Sequence, residues 1–207
     1  VEAAYGEALA VLAESFAPVC TLVGKTWSLH LEKVTKVSRE ENLAMIEESV
    51  AFLRGVGKRV VYDAEHFFDG FGDDTPYSLE CLEAAVAGGA ESVVLCDTNG
   101  ASLPSQVAAA TASVVERVGD RVRVGIHPHN DAECGVANSL AAVQAGATHV
   151  QGTVNGYGER TGNANLISIL PNLQLKLGYR CVPDDRIALL TETAHLIDEI
   201  CNVQPNP

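Results

Sequence analysis

The chain has 207 residues, 47% of them hydrophobic, and carries 14 basic against 27 acidic side chains for a formal charge of −13. That length and apolar content suffice for a sizeable core, while the acidic balance, with no Lys/Arg cluster as a local exception, argues against nucleic acid as a partner. No apolar run reaches the length of a membrane span, and the six cysteines form no C-x-x-C pair and fall partly in apolar segments, as expected of reduced thiols in a cytoplasmic protein.

The amino end, VEAAYGEALAVLAESF, reads as an acidic helix without a basic leader. Runs rich in β-branched residues then occur at 19–23 (VCTLV), 59–63 (RVVYD), 92–96 (SVVLC), 122–126 (VRVGI) and 149–154 (HVQGTV), which are five candidate strands. Between them apolar residues recur at helical spacing: Leu43, Ile46, Val50 and Leu53; Leu79, Leu82 and Val86; Val136, Leu140 and Val143. Strand and helix alternating without hairpin turns predict a parallel sheet.

Each strand is followed by a cluster unsuited to a core: Gly24-Lys25-Thr26-Trp27, Ala64-Glu65-His66, Asp97-Thr98-Asn99-Gly100, His127-Pro128-His129-Asn130-Asp131 and Asn155-Gly156-Tyr157-Gly158-Glu159-Arg160. An open doubly wound sheet gathers its ligand at one switch point, whereas in a (β/α)8 barrel every strand end rings one site. Chemistry at five successive strand ends favours the barrel. Five strands are three short of eight, so the expected fold is a partial (β/α)8 TIM barrel, carried by a fragment that would be silent and poorly folded alone because its strand edges are unpaired.

Within VRVGIHPHNDAECGVANSL, His127 and His129 occupy alternate positions at the end of an apolar run. In an extended strand they share a face about 6.5 to 7 Å apart, a distance that suits two imidazoles converging on one metal ion. A lone histidine at a strand end is more often a structural hydrogen-bonder; the pair, and Pro128 ending the ladder between them, shift the balance towards ligands. Asn130 and Asp131 are expected to cap a helix beginning near Ala132. In NGYGERTGNANL the third glycine of a dinucleotide fingerprint would fall at Thr161, so that reading fails. Gly156, Gly158 and Gly162 instead allow sharp turns that bring Glu159, Arg160 and Asn163 to the site, with a Glu159–Arg160 ion pair holding the loop as the bland alternative.

HPHND followed by GATHVQGTVNGYGERTGNANL resembles the signature of the α-isopropylmalate, homocitrate and citramalate synthases, metal-dependent (β/α)8 enzymes that condense acetyl-CoA with a 2-oxo acid. GKTWSLH, YDAEHFFDGF, LCDTNGASLP and PNLQLKLGY resemble the citramalate synthase branch. The resemblance implies that the chain covers strands four to eight, with residues 1–178 forming the C-terminal part of the catalytic barrel and 179–207 starting a helical linker. The family's first-strand aspartate and arginine motif does not occur in the sequence.

The resemblance further implies that His127, His129 and Asn163 bind a divalent metal ion (Mn2+, Mg2+ or Zn2+), that Thr98 contacts the 2-oxo acid carboxylate, and that Glu65 faces the substrate as a catalytic group. His30 is a further substrate-binding candidate, and Glu159, Arg160, Gly158 and Gly162 shape the loop beside the site. Asp63, where relatives often carry a small hydroxyl residue, is expected to make a structural hydrogen bond. The implied activity is conversion of acetyl-CoA and pyruvate to citramalate and CoA in branched-chain amino-acid biosynthesis, by a homodimer. 2-Isopropylmalate or homocitrate synthesis is the alternative. A lyase on the same barrel and a non-catalytic barrel fragment are rivals of a different kind.

Overall fold

A computed structural model describes residues 2–204. Its centre is a parallel sheet in the order β1-β2-β3-β4-β5: β1 (Val19–Lys25), β2 (Arg59–Glu65), β3 (Ser92–Asp97), β4 (Arg123–Pro128) and β5 (His149–Val150). Helix α1 (Glu2–Glu14) precedes the sheet; α2 (Ser28–His30) and α3 (Arg39–Gly55) follow β1, α4 (Phe67–Asp73) and α5 (Thr75–Ala87) follow β2, α6 (Pro104–Val118) follows β3 and α7 (Gly135–Gln144) follows β4. Beyond β5 lie α8 (Leu166–Pro171) and α9 (Leu190–Cys201). Successive βα units whose strands pair in chain order form the arc of a (β/α)8 barrel, as the alternation predicts.

Local chemistry explains where the helices start. Ser38 accepts the backbone N–H of Glu41 at 3.1 Å and Asp74 that of Tyr77 at 3.1 Å, capping α3 and α5. Pro76 and Pro104 sit in first turns, where a missing N–H costs nothing. The helix expected near Ala132 begins instead at Gly135, where Asn130 Oδ1 accepts the Gly135 N–H at 3.0 Å. Asp131 is not a cap; its carboxylate is taken by Arg160.

The fifth strand is shorter than the 149–154 expected. Gln151 still donates its N–H to the carbonyl of Ile126 at 2.9 Å, but Thr153 pairs with the returning loop, donating to Ala164 and accepting from Leu166. The backbone groups a longer strand would offer β4 are thus satisfied within the glycine-rich segment.

One sheet face packs against the helices. Cys20, Val60, Tyr62, Ala64, Val93, Leu95, Val124 and Ile126 join Val50, Leu53, Leu82, Val107 and Val114 in a single buried cluster. Among the described residues no helix is long and apolar enough to cross a membrane. Leu53 is fully buried while its neighbour Phe52 is 46% exposed. Leu53→Ala should therefore cost about 2 to 5 kcal/mol in a denaturant melt, and Phe52→Ala distinctly less; equal losses would show that α3 does not dock by this face.

Candidate functional site

The alternation that buries one face lifts the other set of side chains towards the C-terminal ends of the strands. Val23 from β1, Asp63 and Glu65 from β2, Cys96 and Thr98 from β3 and its following turn, and His127 and His129 from β4 line one cavity of about 290 Å³, joined by Glu159 and Asn163 from the glycine-rich loop. Of the residues singled out from sequence, His127, His129, Asn163, Thr98, Glu65 and Glu159 are brought together here. His30 is not among the residues lining it; the single turn α2 turns its ring towards Trp27 and His66, with centroids 5.2 and 4.3 Å away.

The imidazoles of His127 and His129 lie with centroids 5.3 Å apart, both half-buried. An antiparallel bridge between His129 and Asn163 lays the loop beside the strand end. Asn163 donates Nδ2 to the Tyr157 carbonyl at 3.2 Å, while its Oδ1 is buried without a hydrogen-bond partner. A buried acceptor without a donor is costly unless a cation or donor comes to it, so the orphaned amide oxygen beside two imidazoles fits a divalent ion. His127 Nδ1 is 2.6 Å from Gln151 Oε1.

A second set of potential ligand atoms, on Asp63, Cys96 and His127, falls within 4.8 Å of one another. It suits a metal poorly: Asp63 Oδ1 already accepts from Gln151 Nε2 at 2.9 Å, and burial, with Asp63, Glu65 and Asp97 nearby, keeps the Cys96 thiol protonated well above its ordinary range.

The Glu159–Arg160 ion pair offered as the bland alternative is present, but it is not the main tie of the loop. That contact is loose, at 3.7 Å, whereas Arg160 grips Asp131 with two nitrogens at 2.8 and 2.9 Å and reaches the Thr98 carbonyl at 2.8 Å. This fork draws the Asp131 carboxyl below its usual range. The same Nη2 meets His129 Nδ1 at 2.9 Å; a guanidinium can only donate, so that nitrogen is an acceptor. Arg160 itself has φ 57°, a left-handed conformation uncommon outside glycine. Gly162, at φ 101°, makes the turn that returns Asn163, and a Cβ on Gly158 would collide with the Asn163 amide.

Thr98 Oγ1 accepts the backbone N–H of His66 at 2.8 Å, leaving the hydroxyl proton to point elsewhere. Glu65 is ion-paired with Lys25, directly opposite it in the β1–β2 register. Asp63 makes the hydrogen bond expected of it, to Gln151. Three further residues have partners around the site that the sequence did not give: Lys25, Gln151, and Asp198 on α9, which accepts from Asn155 Nδ2 at 2.5 Å and from the Tyr157 hydroxyl and so braces the loop from behind. Gln151 was findable, since it alternates with His149 in a strand-like run.

The HMGL-like family profile matches residues 7–196. The chain is 54% identical to the (R)-citramalate synthase of Aquifex aeolicus over 90% of its own length. It is 48% identical over 91% to the (R)-citramalate synthase of Sulfolobus acidocaldarius, and 36% identical over 86% to the 2-isopropylmalate synthase of that organism. It spans about 35% of the length of the first of these relatives. The structure of hydroxymethylglutaryl-CoA lyase from Pseudomonas aeruginosa superposes with a TM-score of 0.78 at 17% identity, covering 96% of this chain and 68% of that one. The arc of a (β/α)8 barrel is thus shared with a solved fold.

Burial lowers the pKa values of His149 and His30 from the ordinary 6.5. Around and below that value the unfolded chain takes up protons that the folded chain does not, so stability should fall as pH drops through the ordinary histidine range. Asp63 and Asp97, both raised by burial, give the opposite slope at lower pH. Thermal melts of parent and His149→Asn across this window should show a shallower loss in the variant, and identical slopes would contradict the assignment to His149.

Proposed function

The chain belongs to the HMGL-like family, and from that premise we propose that the complete protein is a citramalate synthase-type acyltransferase, condensing acetyl-CoA with pyruvate to give citramalate and CoA. The observation that carries this reading is the convergence of two imidazoles, an orphaned amide oxygen, a hydroxyl and a carboxylate on one cavity, in a chain more similar to citramalate synthases than to a 2-isopropylmalate synthase. In that protein residues 1–178 supply the C-terminal part of the barrel, and 179–207 begin the helical segment after it.

His127, His129 and Asn163 would hold a divalent ion, which when bound polarises the ketone of the 2-oxo acid. Thr98, its oxygen lone pair engaged by the His66 N–H, directs its hydroxyl proton to the substrate carboxylate. Glu65, oriented by Lys25, faces the substrate from β2. Arg160 and Asp131 hold the loop that delivers Asn163, and with it the closed side of the cavity. The thioester methyl gives up a proton to a base, its carbon bonds to the ketone carbon, and the ketone oxygen takes a proton. Water then cleaves the thioester, releasing CoA and the new carboxylate.

Release of the CoA thiol, followed with a thiol reagent, should give the highest kcat/KM with pyruvate among pyruvate, 2-oxoisovalerate and 2-oxoglutarate. A preference for 2-oxoisovalerate moves the protein to the isopropylmalate branch, and no thiol release with any of the three removes the synthase reading. His129→Ala in the complete enzyme should abolish turnover and weaken Mn2+ binding in calorimetry, with only the small loss in the metal-free melt expected from its hydrogen bond to Arg160. A purely structural histidine would instead cost about 1 to 3 kcal/mol of stability and leave metal affinity intact.

A further inference from the structure

We propose that Asp63 and Gln151 form a positioning relay that sets the tautomer of His127 and presents its Nε2 lone pair to the cavity. The inference rests on the ligand role proposed for His127 and goes beyond it by assigning two residues outside the ligand set.

The argument is one of hydrogen-bond polarity. An amide side chain can be turned either way, and only its surroundings decide which end is oxygen. Gln151 follows β5, its backbone N–H tied to Ile126 on β4, and its side chain crosses the strand ends to Asp63, 88 residues earlier in the chain. Asp63 is 8% exposed, and its carboxylate offers lone pairs only. The Gln151 NH2 must therefore point at Asp63, where Nε2 lies 2.9 Å from Oδ1, because the reverse orientation would set oxygen against oxygen. With the nitrogen committed, Oε1 is left facing His127 Nδ1 at 2.6 Å. An amide oxygen only accepts, so Nδ1 carries the proton and the lone pair of the neutral ring lies on Nε2.

The polarity thus passes from a buried carboxylate through an amide to an imidazole, and each link leaves one orientation to the next. Residues that hold the far nitrogen of a metal-ligating histidine fix its orientation and raise its basicity, and losing them weakens metal binding about 10- to 100-fold. Among the described residues the contact made by His127 Nδ1 is the one to Gln151. His129, by contrast, has its Nδ1 occupied by a donor, Arg160.

The test uses the complete protein with Mn2+ as the metal probe and nitrogen-15 NMR of the metal-free protein to read the His127 tautomer. Parent His127 is expected as the Nδ1–H tautomer. Gln151→Leu removes the acceptor, so the Nδ1–H signature should be lost or mixed and the Mn2+ Kd should rise about 10- to 100-fold. Because that variant also leaves Asp63 without its partner, the double variant Asp63→Asn/Gln151→Glu is the control. There the new amide donates to the new carboxylate, which accepts from His127 Nδ1, so the polarity is kept with the charge moved by one residue. Recovery of both tautomer and affinity in the double variant supports the relay. An Nε2–H tautomer in the parent, or Gln151→Leu binding Mn2+ as tightly as the parent, overturns it. If the parent holds the Nδ1–H tautomer but binds no Mn2+, the proposed function fails and the hydrogen-bond relay stands.

Discussion

Everything at the site depends on the two-residue alternation of side chains along parallel strands. With one set buried against the helices, as in Tyr62, Ala64, Leu95 and Ile126, the other set has no choice of direction: Asp63, Glu65, Cys96, His127 and His129 must point together. Slipping any strand by one residue would exchange a fully buried apolar side chain such as Ile126 for a histidine, and burying an unpaired imidazole in that cluster is costly. The force that holds the sheet to its helices is therefore the same force that aims the polar residues. Packing also fixes the level of each group: the β1–β2 register places Lys25 opposite Glu65, and the β3–β4 register places Cys96 opposite His127.

The glycine-rich loop supplies what strands alone cannot, a group approaching from outside the sheet. Its backbone visits the left-handed region at Asn155, Gly156, Arg160 and Gly162, and conformations of that kind persist only where surrounding contacts over-determine them. Those contacts are visible on both sides. Arg160 clamps the loop to Asp131 and Thr98 in front, and Asp198 on α9 receives Asn155 and Tyr157 behind. Asn163 sits between the two clamps, with its carbonyl oxygen left over.

Much of this arrangement was legible in the chain itself. Four of the five strands fall within two residues of where β-branched runs place them, and His127-Pro128-His129 announces both the strand end and the paired imidazoles. What escaped was pairing at long range. No spacing rule connects Gln151 with Asp63, because their meeting depends on how the intervening strands lie. Lys25 stood in plain view at a strand end, but its partner is set by register, which periodicity does not supply. The ion pair Arg160 could make with its chain neighbour Glu159 is only a loose contact, while its guanidinium reaches across to Asp131 from a left-handed backbone. His30, a substrate-binding candidate by resemblance, lies on the one-turn α2 that follows β1, which directs its ring to an aromatic cluster.

The two histidines of the pair are not held alike. His127 faces an acceptor through Nδ1 and His129 faces a donor, so the neutral rings are left in opposite tautomers: the lone pair of His127 lies on Nε2, and that of His129 lies on the nitrogen Arg160 occupies. Burial, His127 and Arg160 together lower the His129 pKa, which favours the neutral ring. For both rings to serve one cation, His129 must give up either its contact with Arg160 or its Nε2 proton, whereas His127 need change nothing. Since Arg160 also holds the loop that carries Asn163, any rearrangement that frees His129 acts on the third candidate ligand through the same side chain. The cavity is thus asymmetric, with one candidate ligand ready and two coupled through an arginine.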